Sequence, residues 1–313
     1  MPGRNVAFRA KTFADQFIER TKSEMRPNTS RCYSVSLKSL KPRFGASRLD
    51  EITADEIERY KQSRLEQKLS PSTVNRDLAC LRRILLFAVK KDVIATTPFV
   101  AHKVEFLQEH RRERVLTFDE ERKYLAAAMQ PLRDVAQIML ELGLRPGEVC
   151  CIRRENVHLG AVPPFIHIPG GKTANSVRDV PITQKARDIL KQRISNAAGE
   201  YLFPRRIGTG HDWSQPMSEL EPAHRKALRE SKLARFRIYD LRHTAATRMA
   251  EAGTDVLSLA RLLGHSDLKT TQRYVHLSKG HLADVQTRIE QHRAGREIAE
   301  VEAQKRDEFG AIQ

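Results

Sequence analysis

The chain has 313 residues, with 55 Lys plus Arg against 39 Asp plus Glu, a net charge of +16 and 40% hydrophobic residues. That length exceeds what one core ordinarily fills, so two domains are expected, and the apolar fraction is enough to build both. The charge points to a polyanion, nucleic acid ahead of a membrane surface, since no amphipathic cationic terminus, lipidation signal, signal-peptide core or spanning apolar run is present.

Cys32, Cys80, Cys150 and Cys151 have neither CxxC nor Cys/His zinc spacing, so no metal site is expected and the cysteines read as reduced thiols of a soluble cytoplasmic, nucleoid-associated protein. There is no Walker motif, and no nucleotide or other cofactor is expected. Both halves of the chain are net basic, which suggests that both touch the polyanion, whereas the tail from residue 281 is net acidic.

In chain order, helical spacing over about 7–24 places Phe13, Phe17 and Ile18 on one face. A second helix is expected from Thr29, ending at Pro42 and Gly45. A third starts at Thr53, with Glu56 completing a capping box. The fourth has Ser70 as cap, Pro71 at its first position and an apolar stripe of Val74, Leu78, Leu81 and Leu85. On another face of it Arg76, Arg83 and Lys90 recur every seven residues, a line that suits a phosphate backbone or a solvated surface. These four helices define a first domain at 1–95. Residues 96–114 lose periodicity and read as a linker.

A second domain, 115–280, opens at Thr117 with Glu120 as its capping-box partner. Val135, Ile138, Met139 and Leu142 form a buried helix face that Gly143 stops, ahead of Leu144-Arg145-Pro146-Gly147-Glu148. Phe165–Pro169 and Arg178–Ile182 read as strands around Gly170-Gly171-Lys172-Thr173. Further helices are expected at 184–196, 221–231, 239–252 and 255–263, with 201–204 as strand or turn and 205–216 as a loop. Gly264 stops the last of these helices, leaving His265 in the turn and Tyr274 on the next short helix.

Chemically, Arg242 offers a planar, permanently charged fork suited to phosphate oxygens. His265 offers proton transfer near neutrality. Tyr274 is a phenol that can attack phosphorus if cationic neighbours help it lose its proton. Taken singly, each has a plainer reading as a solvated charge, a helix stop or a half-buried aromatic; order and spacing make the case.

Together, Leu241-Arg242-His243-Thr244, Leu263-Gly264-His265 and Thr270 to Tyr274 resemble the catalytic half of the phage-integrase family of tyrosine recombinases. Gly143 to Glu148 resembles that family's first catalytic motif, the Lys172 turn its lysine-bearing hairpin, and the N-terminal helices its DNA-binding core domain. The resemblance runs from about Phe13 to Leu277. It implies a mainly α fold with a small antiparallel β-sheet, in two domains, and an enzyme acting on double-stranded DNA. Tyr274 would form a covalent 3′-phosphotyrosine without ATP, Arg145 and Arg242 would neutralise the non-bridging oxygens, Lys172 would protonate the leaving 5′ oxygen and His265 would hydrogen-bond the phosphate. Self-association into a tetramer on paired sites, through a Holliday junction, is also implied, with the 281–313 tail contacting a neighbouring subunit.

Where the family commonly has His three residues before the second arginine, this chain has Tyr239, which remains a supporting site residue. Because the chain begins almost directly with the core-binding helices, a simple Xer-like or mobile-element enzyme of DNA integration or resolution is expected. The alternatives are a type IB topoisomerase-like relaxing enzyme and a non-catalytic DNA-binding regulator. Site-independent relaxation would favour the first, and absence of a covalent DNA adduct the second.

Overall fold

The computed structural model describes residues 10–101, 104–109, 114–170, 177–275, 286–287 and 289–296. The chain divides into two units, Met1–Arg112 and Glu113–Gln313. Among the described residues no helix is long and apolar enough to cross a membrane.

The first unit contains α1 (Ala10–Thr21), α2 (Pro27–Phe44), α3 (Ala54–Glu66) and α4 (Pro71–Lys90). The start of α4 is set by the Ser70 hydroxyl, which accepts from the Thr73 N–H, and by Pro71, whose missing N–H costs nothing there. Its apolar stripe, Val74, Leu78, Leu81 and Leu85, is buried. From α1, Phe13 and Phe17 bring their rings within 5.8 and 5.2 Å of Phe87. The capping box of Thr53 and Glu56 opens α3, and Tyr60 on that helix donates to Asp77 of α4 at 2.8 Å.

Within this unit, two stretches differ from the sequence expectation. α2 begins at Pro27 rather than Thr29, and although Gly45 caps its end as expected, Pro42 lies inside the last turn, which burial of Leu40 and Phe44 holds despite the lost backbone hydrogen bond. The stretch expected as a linker largely packs onto the first unit: Phe99 and Val104 join its core. Asn75 then fixes the irregular run that follows, donating to the Leu107 carbonyl at 2.9 Å and accepting from the Leu107 N–H at 2.8 Å.

The second unit begins with α5 (Phe118–Ala127), opened by the expected box of Thr117 and Glu120. Next come α6 (Leu132–Leu142), which carries the buried Val135, Ile138 and Met139, and the short α7 (Pro146–Cys150). Strands β1 (Val157–His158), β2 (Phe165–Ile168) and β3 (Arg178–Pro181) form an antiparallel sheet in that order, with Ile166 opposite Val180 and Ile168 opposite Arg178. After α8 (Gln184–Asn196), the chain forms a second hairpin, β4 (Pro204–Ile207) with β5 (Gly210–Pro216), where a loop was expected. Most of its side chains face water, so it has no apolar alternation to read, and only the Gly208 turn betrays it.

The unit ends with α9 (Glu221–Ser231), α10 (Tyr239–Glu251), α11 (Val256–Leu263) and α12 (Leu268–Gln272). α10 packs against α6 and α11. Ala246, Ala250, Leu259, Leu263 and Tyr274 close a small core beside it. Tyr274 stands in the turn just past α12, not on the helix as expected, with Thr271 accepting its backbone N–H. In the tail, Leu282, Val285 and Ile289 stand at the spacing of an apolar helix stripe; Leu282 and Val285 lie outside the described residues, and Ile289 is 40% exposed.

Candidate active site

Two helix ends build the site. α6 stops at Gly143 in the left-handed region (φ 64°), and the chain turns so that Arg145 becomes the residue preceding α7. α11 stops the same way at Gly264 (φ 65°), where a Cβ would also lie 2.7 Å from Arg178 Nη1. Glycine is therefore required there both by conformation and by space, and His265 follows at once.

Glu148, on α7, gathers three arginines. It accepts from the Arg145 backbone N–H at 2.8 Å and from Arg145 Nη1 at 2.7 Å. Arg178 grips it with both Nη atoms, at 3.1 and 3.0 Å, and Arg242 Nη1 is 3.7 Å away. Burial alone would raise the Glu148 pKa, but the hydrogen bonds and charge of Arg178, helped by Arg145, hold it below the usual carboxylate value. One carboxylate against three guanidiniums leaves the cluster with surplus positive charge, the condition for receiving an anion.

Arg242 is buried whole. Its Nη1 donates to the Gly143 carbonyl at 2.9 Å and its Nη2 to the Leu263 carbonyl at 2.6 Å, groups that the ends of α6 and α11 leave unpaired. Burial pulls its pKa down to about 10, which leaves it charged at neutral pH. Arg242 thus ties the two helix ends together from beneath the site, whereas Arg145 is partly exposed, with its Nη2 on the Gly264 carbonyl at 3.0 Å.

His265 Nε2 lies 3.1 Å from Arg242 Nη2, and its Nδ1 lies 2.8 Å from the Thr271 hydroxyl. A guanidinium can only donate, so Nε2 accepts and the ring proton sits on Nδ1. Burial, then the charges of Arg242 and Arg145, pull its pKa down to about 4, and the ring is neutral at pH 7. Tyr274 is buried, and its ring runs nearly parallel to that of His265 at 6.5 Å. Its hydroxyl meets His243 Nδ1 at 2.5 Å and Arg273 Nη2 at 2.8 Å. Burial raises the phenol's pKa more than Arg273 lowers it, so the hydroxyl keeps its proton at rest.

Tyr239, at the start of α10, is 36% exposed and lies over the Arg242 guanidinium at 5.9 Å. A cavity of about 680 Å³ opens above this cluster, lined by Arg145, Glu148, Tyr239 and His265 among others. Ile168–Gly170, at the end of β2, also line it; Lys172 lies outside the described residues. Arg76, Arg83 and Lys90 are exposed on α4 of the first unit, and none is paired with a carboxylate among the described residues.

Sequence reasoning assigned no role to three residues of this cluster. His243 was in view within Leu241–Thr244, and its place one helical turn after Tyr239 is the signal that could have found it. Arg273 precedes the tyrosine directly. Arg178 gave no signal, because an arginine at a strand end declares itself only when α7 and α11 close over it.

The chain matches the model of the phage integrase family over residues 105–281 and that of the phage integrase SAM-like domain over residues 11–104. Tyrosine recombinase XerC of Bacillus pumilus is 26% identical over 256 residues, which cover 76% of this chain and 81% of that protein. The fold is similar to that of the Tn1549 transposon integrase in complex with a circular intermediate DNA, with TM-score 0.74, 20% identity, and coverage of 90% of this chain and 99% of that one. It is also similar to a lambda integrase tetramer bound to a Holliday junction, with TM-score 0.71, 19% identity, and coverage of 87% and 78%. The buried guanidinium cluster and the tyrosine beside it thus occur in a chain that belongs to the phage integrase family of tyrosine recombinases.

Proposed function

We propose that Tyr274 is the nucleophile of this chain, a tyrosine-type site-specific DNA recombinase, and that Arg145, Lys172, Tyr239, Arg242 and His265 act with it. The observation that carries the assignment is the meeting of Tyr274, His265 and the surplus positive charge of Arg145, Arg178 and Arg242 within one cluster. In the reaction the Tyr274 oxygen bonds to phosphorus and the bond to the 5′ oxygen breaks, leaving a 3′-phosphotyrosine. One diester replaces another, so the strand can be resealed without ATP.

Arg145 faces the cavity and would bind a non-bridging oxygen directly as charge builds in the transition state. Arg242 would act chiefly by its charge from below and by holding Leu263 and Gly264, and hence His265, in place. Lys172 is the acid proposed for the leaving oxygen, and Tyr239 a hydrogen-bond donor to phosphate. The partner is double-stranded DNA, and the lambda integrase tetramer supports a tetramer of this chain on paired sites. A cytoplasmic, nucleoid-associated location goes with this reading.

The test is to trap the protein on nicked duplexes selected from a randomised library and map the modified residue. A 3′-phosphoryl group on Tyr274, at a recurring sequence, is expected. A modified residue elsewhere, or site-independent relaxation of supercoiled plasmid, would refute the assignment.

The exposed line of Arg76, Arg83 and Lys90 is proposed to follow a phosphate backbone. Converting all three to Gln is expected to flatten the log–log salt dependence of binding by up to about 2.7, at roughly 0.9 per lost contact. An unchanged slope would mark the line as a solvated surface.

A further inference from the structure

The attacking phenol must lose a proton, and the hydrogen bonds around it show where that proton goes. Arg273 Nη2 has no acceptor capacity, so at 2.8 Å it donates to the Tyr274 oxygen. The phenol's own proton then points to its other partner, His243 Nδ1, at 2.5 Å. We infer that His243 is the general base of strand cleavage, taking the Tyr274 proton on Nδ1 as the oxygen attacks phosphorus. This rests on Tyr274 being the nucleophile.

The rival bases are poorly placed. His265 turns its accepting Nε2 to Arg242 and its Nδ1 to Thr271, and meets Tyr274 through ring faces. Tyr239 is itself a phenol, whose oxygen is a poor acceptor for another phenol's proton. It stands edge-on to His243 at 5.4 Å, one turn earlier on α10. With Tyr where the family commonly has His, the imidazole in contact with the nucleophile is carried one turn further along the same helix.

The proton balance closes. His243 gains the phenolic proton, the Tyr274 oxygen gains phosphorus, and the departing 5′ oxygen takes a proton from the acid assigned to Lys172. Religation runs the same transfers backwards, with the imidazolium returning its proton to the leaving tyrosine. Among the described residues, the charged and titratable groups seen against this ring and its partner include Tyr239 on α10 and Tyr274, Arg273 and His265 around α12, with Arg242 behind. Arg273 holds the developing phenolate. The arriving phosphodiester offsets the new positive charge on His243.

His243→Asn separates chemistry from positioning, because its amide reaches the place of Nδ1 and can still hydrogen-bond the phenol but cannot carry the proton away. Single-turnover adduct formation at pH 7 is expected to fall about 100- to 10,000-fold, with DNA binding retained. The native rate should rise with pH through the imidazole range and level off, since His265, at about 4, has finished titrating below this window. The variant's rate should keep rising through pH 9. Difluorotyrosine at position 274, a more acidic phenol, should restore most of the variant's rate.

A native rate and pH profile in His243→Asn would overturn the inference. So would a native-chain rate independent of pH between 5.5 and 8, a measurement that needs no variant. If Tyr274→Phe forms no adduct while His243→Asn cleaves normally, only the base assignment fails. An adduct in Tyr274→Phe would instead overturn the nucleophile itself.

Discussion

Tyr274→Phe is expected to abolish the covalent DNA adduct while leaving site binding and the fold intact. Phe fills the same space in the small core with Ala246, Ala250, Leu259 and Leu263, so no cavity opens. What is lost is one hydroxyl and its hydrogen bonds with His243 and Arg273, roughly 1 kcal/mol each. Without that oxygen no bond to phosphorus can form, and the remaining surplus of guanidinium charge should still hold the scissile phosphate. Gel separation of adduct under denaturing conditions, alongside a binding titration, reads the two effects separately. Weak binding together with a lowered thermal midpoint would show that Tyr274 is chiefly structural.

Glu148→Ala is expected to destabilise the second unit by about 3–5 kcal/mol, because it leaves buried guanidiniums without their carboxylate. Arg178 and Arg242 are nearly inaccessible to water, with side chains 3% and 1% exposed, so solvent cannot take the place of Glu148. Glu148→Gln keeps the shape but not the charge and should lie between. Denaturant unfolding of the transition belonging to this unit measures the loss. A change below about 1 kcal/mol, the range of exposed ion pairs, would mean that the cluster is not coupled as its geometry implies.

The same cluster sets the acid limit of stability. The Glu148 pKa is lowered on folding, so its contribution is present above the ordinary carboxylate value and is lost as pH falls through the folded one. His265 falls from 6.5 to about 4, so between those values the unfolded chain binds a proton that the folded chain refuses. Stability therefore decreases as pH drops through that window. His265→Gln should remove the part of the decline above about pH 5, and melting curves from pH 7 to 4 read it directly.

Much of the architecture was written locally. Ser70 with Pro71, Thr53 with Glu56 and Thr117 with Glu120 are complete signals within four residues, because a cap satisfies backbone groups of its own first turn. Gly143 and Gly264 announced their helix ends for the same reason: the left-handed conformation is a property of one residue. The resemblance likewise rested on short runs, Leu241–Thr244 and Leu263–His265, whose spacing survives without knowledge of the fold.

What the sequence by itself determined, then, was the helical elements, the split into a helical N-terminal unit and a catalytic unit, and the family to which the chain belongs. Only the tertiary structure decided which groups pair. Arg178 meets Glu148 across 30 residues, Arg242 meets Gly143 across 99, and His243 meets Tyr274 across 31. Nothing in the local pattern records such distant partners. Asn75 claiming Leu107 for the first unit, and the water-facing hairpin of β4 and β5, were hidden for the same reason. Periodicity reports which side of an element is buried, whereas a polar contact between elements is specified by where both ends come to rest.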